Sequence, residues 1–403
     1  MEKYLKGIRV IDQIHVSEKV VFLRLDLNVP IRHGVIEDTT RIQESLPTIK
    51  YLLEQKSKVI IASHLGRPKN KDDKKYSMLP VGEKLAELLN VEVILAEDPS
   101  PDFMKPTLKG LTKKQIIVQE NLRFFEGETE NSVDLARIWA SYSDVYINDA
   151  FGASHRAHAS IEALPRLMQE KGCGFLIQKE LKYLGRILDR PERPFAVILG
   201  GAKVSDKIPV LENLIDRLDF LFVGGAMAYT FLKAAGVPVG RSLVEVDQLN
   251  YCRELLERFK ARHKHIFLPI DHKVADQLEM PTITKVTEDE KIPEGLMGLD
   301  IGPKTLESYQ KALNQARTIF WNGPMGVFEK DEFAVGTLSL ARFLAQLKGV
   351  FRVIGGGDSA SAVNRAGVAQ EFDHVSTGGG ASLEFLQGNS LPGIEVLRDR
   401  RLM

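Results

Sequence analysis

Short runs of apolar residues alternate along this chain with stretches in which apolar residues recur every three or four positions. VVFLRL (20–25), KVIIAS (58–63), VEVIL (91–95), QIIVQ (115–119) and DVYIN (144–148) predict a first set of strands. PFAVIL (194–199), DFLFV (219–223), HIFLP (265–269), TIFW (318–321) and FRVI (351–354) predict a second set. Between them, Leu135, Ile138, Trp139 and Tyr142, and later Leu211, Leu214, Ile215 and Leu218, follow the spacing of one helix face. Strand and helix in alternation, twice over, predict parallel sheets covered by helices, with ligands beyond the carboxyl ends of the strands.

The second series follows QKELKYLGRILDRPERP (178–194), a charged amphipathic stretch that ends in a proline-rich turn. The expected architecture is α/β: two doubly wound (Rossmann-like) parallel-sheet domains joined by a connecting helix and hinge. The expected divisions are a first domain over 1–175, a connecting helix over 176–194, a second domain over 195–388, and a segment over 389–403 that returns to the first domain. A length of 403 residues exceeds one ordinary core and suits two. The 54 basic residues balance 54 acidic ones, which removes any global attraction to nucleic acid or a membrane surface. Any anion site must therefore be local.

Cys173 and Cys252 are the only cysteines and form no CxxC, so neither a disulfide framework nor a zinc site is expected. A reducing cytoplasmic setting follows. MEKYLKGIRV lacks the apolar core of a signal peptide, and the longest apolar stretch, FLFVGGAMAYTFL (220–232), is too short to span a bilayer.

The densest chemical signal is FAVILGGAKVSDK (195–207), an apolar run followed by a diglycine and by Lys203 and Lys207. Glycines allow close backbone approach, and ammonium groups near a helix start add positive charge where amides already point. This is a phosphate site on residue chemistry alone. Pro209, two residues past Lys207, is welcome in a first helical turn and costly inside a helix, so a regular helix through both lysines is not expected. WNGPMGVFE (321–329) and IGGGDSASA (354–362) also follow apolar runs and read as ligand loops. Asp358 suits either a magnesium ligand or a helix N-cap. Gly355, Gly357 and Ala360 fit GxGxxG/A, which keeps an NAD-dependent dehydrogenase using the GGGDSA turn as the alternative function.

In the first half, Arg24, Asp26 and Asn28 alternate at a strand end, Arg41 follows, and later strand ends lead to His64, Arg67, Arg123, His155, Arg156 and His158. Read singly, each arginine is an ordinary surface ion pair. Their convergence beyond strand ends suits a small molecule bearing carboxylate and phosphate, which guanidinium forks bind bidentately. Arg24 and His158 are the members best explained as structural.

These motifs together resemble phosphoglycerate kinases. RxDxNVP, HLGRP, ENLRF, NDAFGxxHRAH, GGAKVSDK, LDIGP, WNGPMGVFE, GGGDS and STGGGAS run in that family's order from residue 24 to near the end of the chain. The resemblance implies Mg2+-dependent phosphoryl transfer between ATP and 3-phosphoglycerate, giving ADP and 1,3-bisphosphoglycerate, by a monomer that closes about its hinge. By motif, Asp26, Asn28, Arg41, His64, Arg67, Arg123 and Arg156 would hold the acid. Lys203 would follow the moving phosphoryl group and Lys207 would hold the nucleotide phosphates. Gly200, Gly201, Gly224, Gly225, Gly298, Leu299 and Val327 would line the nucleotide pocket, with Asn322 near the phosphates and Glu329 at the ribose. Gly355, Gly356, Gly357 and Ser359 would meet the phosphate chain and Asp358 the magnesium. Arg41, Lys203, Gly378 and Gly379 form the implied catalytic set, and Gly172, Gly174 and 378–380 are candidate flexible points. Pro209, Ala226, Leu296, His272 and Lys273 depart from the family's usual residues.

Overall fold

The computed structural model describes residues 3–399 and 401. Contacts divide the chain into two compact units, Met1–Gly185 with Asn389–Met403, and Arg186–Gly388. The first unit contains β1 (Val20–Leu25), β2 (Ile31–Arg32), β3 (Val35–Ile36), β4 (Lys58–Ala62), β5 (Glu92–Ala96), β6 (Gln115–Gln119), β7 (Val145–Asp149) and β8 (Glu170–Cys173). Six of these form one sheet in the order β5-β6-β4-β1-β7-β8, every pair parallel. β1 pairs with β4 on one side and with β7 on the other, so the strand order reverses there. Ligands of open α/β sheets bind beside such a reversal.

The second unit contains β9 (Phe195–Leu199), β10 (Phe220–Val223), β11 (His265–Phe267), β12 (His272–Ala275), β13 (Thr284–Val286), β14 (Met297–Ile301), β15 (Thr318–Asn322), β16 (Phe351–Gly355) and β17 (His374–Val375). Its parallel sheet runs β11-β10-β9-β15-β16-β17 and reverses between β9 and β15. Every residue of β9 and of β15 is buried, as expected for central strands covered on both faces. Ile198, Phe222, Trp321 and Leu340 belong to one apolar cluster on this sheet.

The ten apolar runs all form strands, within a residue or two of their expected ends. The α/β class with two parallel sheets is what the structure shows. A third sheet, antiparallel in the order β13-β12-β14, has no counterpart in the sequence reading because HKVA, TKV and MGLDI carry no apolar run. The segment expected to be helical over 176–194 is a helix over Phe175–Asp189, and the units divide within it. Pro191 explains the stop, because a proline disfavours helical backbone in the residue before it. Tyr142 lies past the end of the helix Val133–Ala140, although its side chain is buried.

Asp300, at the end of β14, is 1% exposed and accepts from Gly336 N (2.7 Å) and Ile301 N (2.9 Å), joining that strand to the first turn of the helix Val335–Gln346. Burial pushes its carboxyl up to about 7. A folded-state value above the unfolded one means that the folded chain holds the proton more tightly. The contribution to stability is complete below about pH 4 and is lost as pH rises through about 7. It is on the order of 4 kcal/mol, at about 1.4 kcal/mol per pKa unit. Urea unfolding of the second unit is expected to show stability falling across this window, and Asp300→Asn is expected to flatten that part of the slope.

Candidate active site

In the first unit, Arg24 is fully buried and is the best-anchored of the arginines. Its Nε donates to Ser160 Oγ (2.8 Å), Nη1 donates to Leu25 O, and Nη2 lies 3.4 Å from His64 Nδ1. Glu128, 1% exposed, accepts from Ser160 N (2.9 Å) and Ser160 Oγ (2.7 Å), and its carboxylate faces the Arg24 charge. Burial pushes Glu128 above the usual carboxylate range, and Arg24 is the largest opposing influence. The expected structural role of Arg24 therefore stands. His158 has a similar place, with its Nδ1 3.8 Å from Glu128 Oε1 and its imidazole pushed down to about 4, by burial first and then by Arg24.

The remaining acid-binding candidates gather around His64. Burial, followed by the charges of Arg24, Arg123, Arg156 and Arg41, holds His64 well below the ordinary histidine value, so it is neutral at pH 7. Arg123 feels Arg156, Arg24 and Arg67 in turn. Arg41, in the first turn of the helix Thr40–Glu54, donates to Asp26 Oδ1 (3.1 Å) and to Asn28 O (3.0 Å). Asn28 Oδ1 accepts from Gly66 N (2.8 Å), and Arg123 donates to Gly66 O, which ties the turn after β1 to the one after β4. Arg156 Nε donates to His155 Nε2 (3.2 Å), while Arg67 is exposed. The charges of Arg24, Arg41, Arg123 and Arg156 thus act on one neutral imidazole, Arg67 acts on Arg123, and Asp26 pairs with Arg41. Such an arrangement attracts a multiply charged anion.

In the second unit the glycine loops follow strands on both sides of the sheet's reversal. Gly200 N donates to Asn322 O (2.9 Å), Gly201 N to Pro324 O (3.0 Å), Gly224 N to Leu199 O (2.8 Å) and Gly225 N to Met325 O (2.9 Å). A Cβ on Gly200 would lie 2.0 Å from Pro324 O, one on Gly225 2.5 Å from Gly201 N, and one on Gly298 2.2 Å from the Tyr229 ring. Gly200 and Gly225 allow loops to pack on one another, and Gly298 lets β14 pack on the Tyr229 ring of the helix Met227–Ala234. Gly201, Gly357 and Gly379 have no atom within 4 Å of the corresponding point, so their open side faces space that a ligand can use. Val327 N donates to Leu299 O (2.8 Å), and Glu329 is exposed.

Lys207 donates to Asn322 Oδ1, and Asn322 Nδ2 donates to Gly355 O (2.7 Å). Burial draws the Lys207 ammonium below its ordinary value, opposed by Asp206 and Asp358. Gly356, at φ +87°, caps the helix Gly357–Arg365, and Ser359 Oγ accepts from Gly323 N (2.5 Å). Asp358 is exposed in the first turn of that helix. The helix after the lysines spans Ile208–Leu214 with Pro209 in its first turn, so Lys203 and Lys207 precede it and share no helical face. Lys203 is exposed, and Glu245 holds its loop by accepting from Val204 N (2.5 Å) and Ser205 N (3.1 Å). Ser376 Oγ accepts from Gly378 N (3.2 Å), and Gly379, at φ +53°, caps the helix Gly380–Leu386.

The family model for phosphoglycerate kinase matches residues 11–389. The chain belongs to the phosphoglycerate kinase family. Phosphoglycerate kinase from Bdellovibrio bacteriovorus is 54% identical over 400 residues, covering 99% of this chain and 100% of that protein. That of an Anaeromyxobacter species is 51% identical over 394 residues, covering 97% and 99%. The solved phosphoglycerate kinase from Coxiella burnetii superposes with a TM-score of 0.85 at 38% identity, covering 97% of this chain and 98% of that one. The chain is thus a kinase whose phosphate acceptor is a carboxyl group.

Within this phosphoglycerate kinase architecture, sequence reasoning missed Glu128, Asn121 and Glu245. Asn121 accepts from Leu65 N (3.1 Å) and Arg123 N (3.1 Å) and donates to Leu65 O (2.7 Å), holding the residue after His64 against the turn that carries Arg123. Its place in ENLRF was the available signal. Glu128 and Glu245 stand in acidic surface-like stretches and gave none. Of the departures from the family's usual residues, Leu296 is buried in a cluster with Tyr229 and Val274. His272 is fully buried, with Nε2 3.1 Å from Glu290 O.

His64 yields a direct test. Proton-detected NMR is expected to show its ring neutral from pH 6 to 8. Because the folded-state value is depressed, its contribution to stability is present above about pH 6.5 and is lost as pH falls below it. Saturation with 3-phosphoglycerate is expected to raise its pKa by screening the arginines, and a ring that titrates normally without ligand would contradict the electrostatic picture.

Proposed function

We propose that this kinase transfers a phosphoryl group between ATP and 3-phosphoglycerate, holding the acid in the arginine cradle of the first unit and the nucleotide in the glycine loops of the second. The observation that carries the reading is the excess of guanidinium groups around the neutral His64. Asp26, Asn28, Arg41, His64, Arg67, Arg123 and Arg156 bind the acid and its phosphate. Gly200, Gly201, Gly224, Gly225, Gly298, Leu299 and Val327 line the nucleotide pocket, and Glu329 meets the ribose. Asn322, Lys207, Gly355, Gly356, Gly357 and Ser359 receive the phosphates.

A carboxylate acceptor is ionised at pH 7 and needs no general base. The difficulty is charge: two unit negative charges about 4 Å apart repel by roughly 4 kcal/mol at an effective dielectric of 20. Arg41 and Lys203, with Gly378 and Gly379, are assigned to the transferring group, where fixed positive charge and positioning supply most of the catalysis. Among the described residues no three His, Cys, Asp or Glu side chains gather to hold a metal by themselves. The exposed Asp358 nevertheless fits magnesium, which in phosphate sites takes one or two carboxylates alongside substrate oxygens. Magnesium held there would offset phosphate charge.

The two substrates are assigned to different units, so transfer requires closure, which also excludes water and limits hydrolysis. A cytoplasmic monomer is part of the same reading: Cys173 and Cys252 are free thiols, which suits a reducing compartment, and a monomer is what the resemblance implies. No helix among the described residues is long and apolar enough to cross a membrane.

A coupled assay of ADP formation is expected to show turnover only with 3-phosphoglycerate present, and acid-independent turnover would count against this reading. Lys203→Ala is expected to lower kcat by about 10² to 10³, the cost of losing one preorganised charge-stabilising donor. Small-angle scattering is expected to show compaction with both substrates bound, and an unchanged radius of gyration would remove closure from the mechanism.

A further inference from the structure

The helix Phe175–Asp189 carries the chain from the first unit into the second, and the hydrogen bonds at its start come from far away in sequence. Phe175 N donates to Thr48 Oγ1 (3.0 Å), and Ile177 N donates to Asp149 Oδ1 (3.0 Å). Thr48 Oγ1 in turn donates to Asp149 Oδ2 (2.6 Å). The Asp149 carboxylate is fully buried and lies so close to Gly174 that a Cβ there would meet it at 2.3 Å. Gly174 therefore serves close approach, which accounts for this candidate flexible point.

Both acceptors of this cap belong to elements that also carry the residues assigned to the acid. Thr48 lies two turns along the helix whose first turn holds Arg41. Asp149 ends β7, is in register with Leu25 just before Asp26, and precedes the turn that leads to Arg156. Two further contacts join the same pair of helices: Lys179 donates to Glu44 (3.0 Å), and the Tyr51 and Phe175 rings meet edge to face at 5.5 Å. Neither Thr48 nor Asp149 is among the residues assigned to substrate.

Resting on the phosphoryl-transfer reading above, we propose that Thr48 and Asp149 are positioning residues, coupling the placement of Arg41 to the first turn of the helix that leads to the nucleotide-binding unit. In this role the pair does not set affinity for either substrate. It sets how well Arg41 and the departing helix are held in register once both substrates are bound, and it acts through kcat.

The experiment compares the full-length wild type with Thr48→Val, which keeps the shape and removes the hydroxyl, and with Thr48→Ser, which keeps the hydroxyl. Thr48→Ala is measured in parallel, so that a folding failure of the valine variant leaves a readout. The expected result for Val and Ala is a kcat lower by on the order of 10-fold to 100-fold, the range for misplacement remote from the chemistry. Both KM values should stay near wild type, and Thr48→Ser should restore kcat. An active wild type matched in kcat by Thr48→Val and Thr48→Ala overturns this inference alone, whatever happens to the unfolding midpoint. A loss carried by KM for the acid also overturns it. Absence of acid-dependent turnover in the wild type overturns the proposed function and this inference with it.

Discussion

Positive charge held together ahead of its counter-ion is the constraint on which the first unit depends. Guanidinium groups cannot shed their protons, so the fold has to hold Arg24, Arg41, Arg67, Arg123 and Arg156 near one another by other means. Arg24 is fixed by Ser160 and a backbone carbonyl, beside the buried Glu128. Arg41 leans on Asp26, and Arg123 on the carbonyl of Gly66. The imidazole at the centre yields, staying neutral where another cation would add to the repulsion. Unmatched charge of this kind costs stability in the free protein, a cost that a polyanion bound there would offset.

The same concern with charge shapes the second unit, by different means. There the cationic groups are few, and main-chain amides and glycine geometry dominate. Lys207 is anchored on Asn322, which is itself held by Gly355, so its ammonium is fixed in the free protein. Lys203 is exposed on a loop that Glu245 secures through neighbouring amides. An anchored lysine and an exposed one suit the division between holding a phosphate chain and following a group that moves.

How far the sequence reveals this depends on whether a signal is local. Apolar runs exposed ten strands, because burial on two faces demands such runs; β8, with the sequence EKGC, has none and was invisible. His64, Arg67 and Arg123 were legible as candidates because they stand just past those runs, whereas Arg24 lies inside one and Arg41 lies in the helix Thr40–Glu54. Pro209 correctly marked the late start of the helix after the lysines. Glycine was legible only as glycine. The same letter serves close packing at Gly200, Gly225 and Gly298 and open space at Gly201 and Gly357, and only three-dimensional neighbours tell these apart. Glu128 was hidden because its partners, Arg24 and Ser160, are remote in sequence.

Helix capping shows the same limit and explains why buried aspartates recur near the sites. Capping rules look for Ser, Thr, Asp or Asn immediately before a helix, and the helices Pro303–Leu313 and Val335–Gln346 have no side-chain cap of that local kind. Their amides are met instead by aspartates from preceding segments: Asp271 accepts from Lys304 N (3.0 Å) and Thr305 N (2.7 Å), and Asp300 accepts from Gly336 N. Asp149 does the same for Phe175–Asp189. A carboxylate buried against amides is stabilised by them while desolvation pushes its proton affinity up, and Asp149 and Asp300 are both raised to about 7. A cap from a distant strand end fixes more than the helix it closes. It sets the position of that helix relative to the distant segment that supplies the aspartate, which a local serine or threonine could not do.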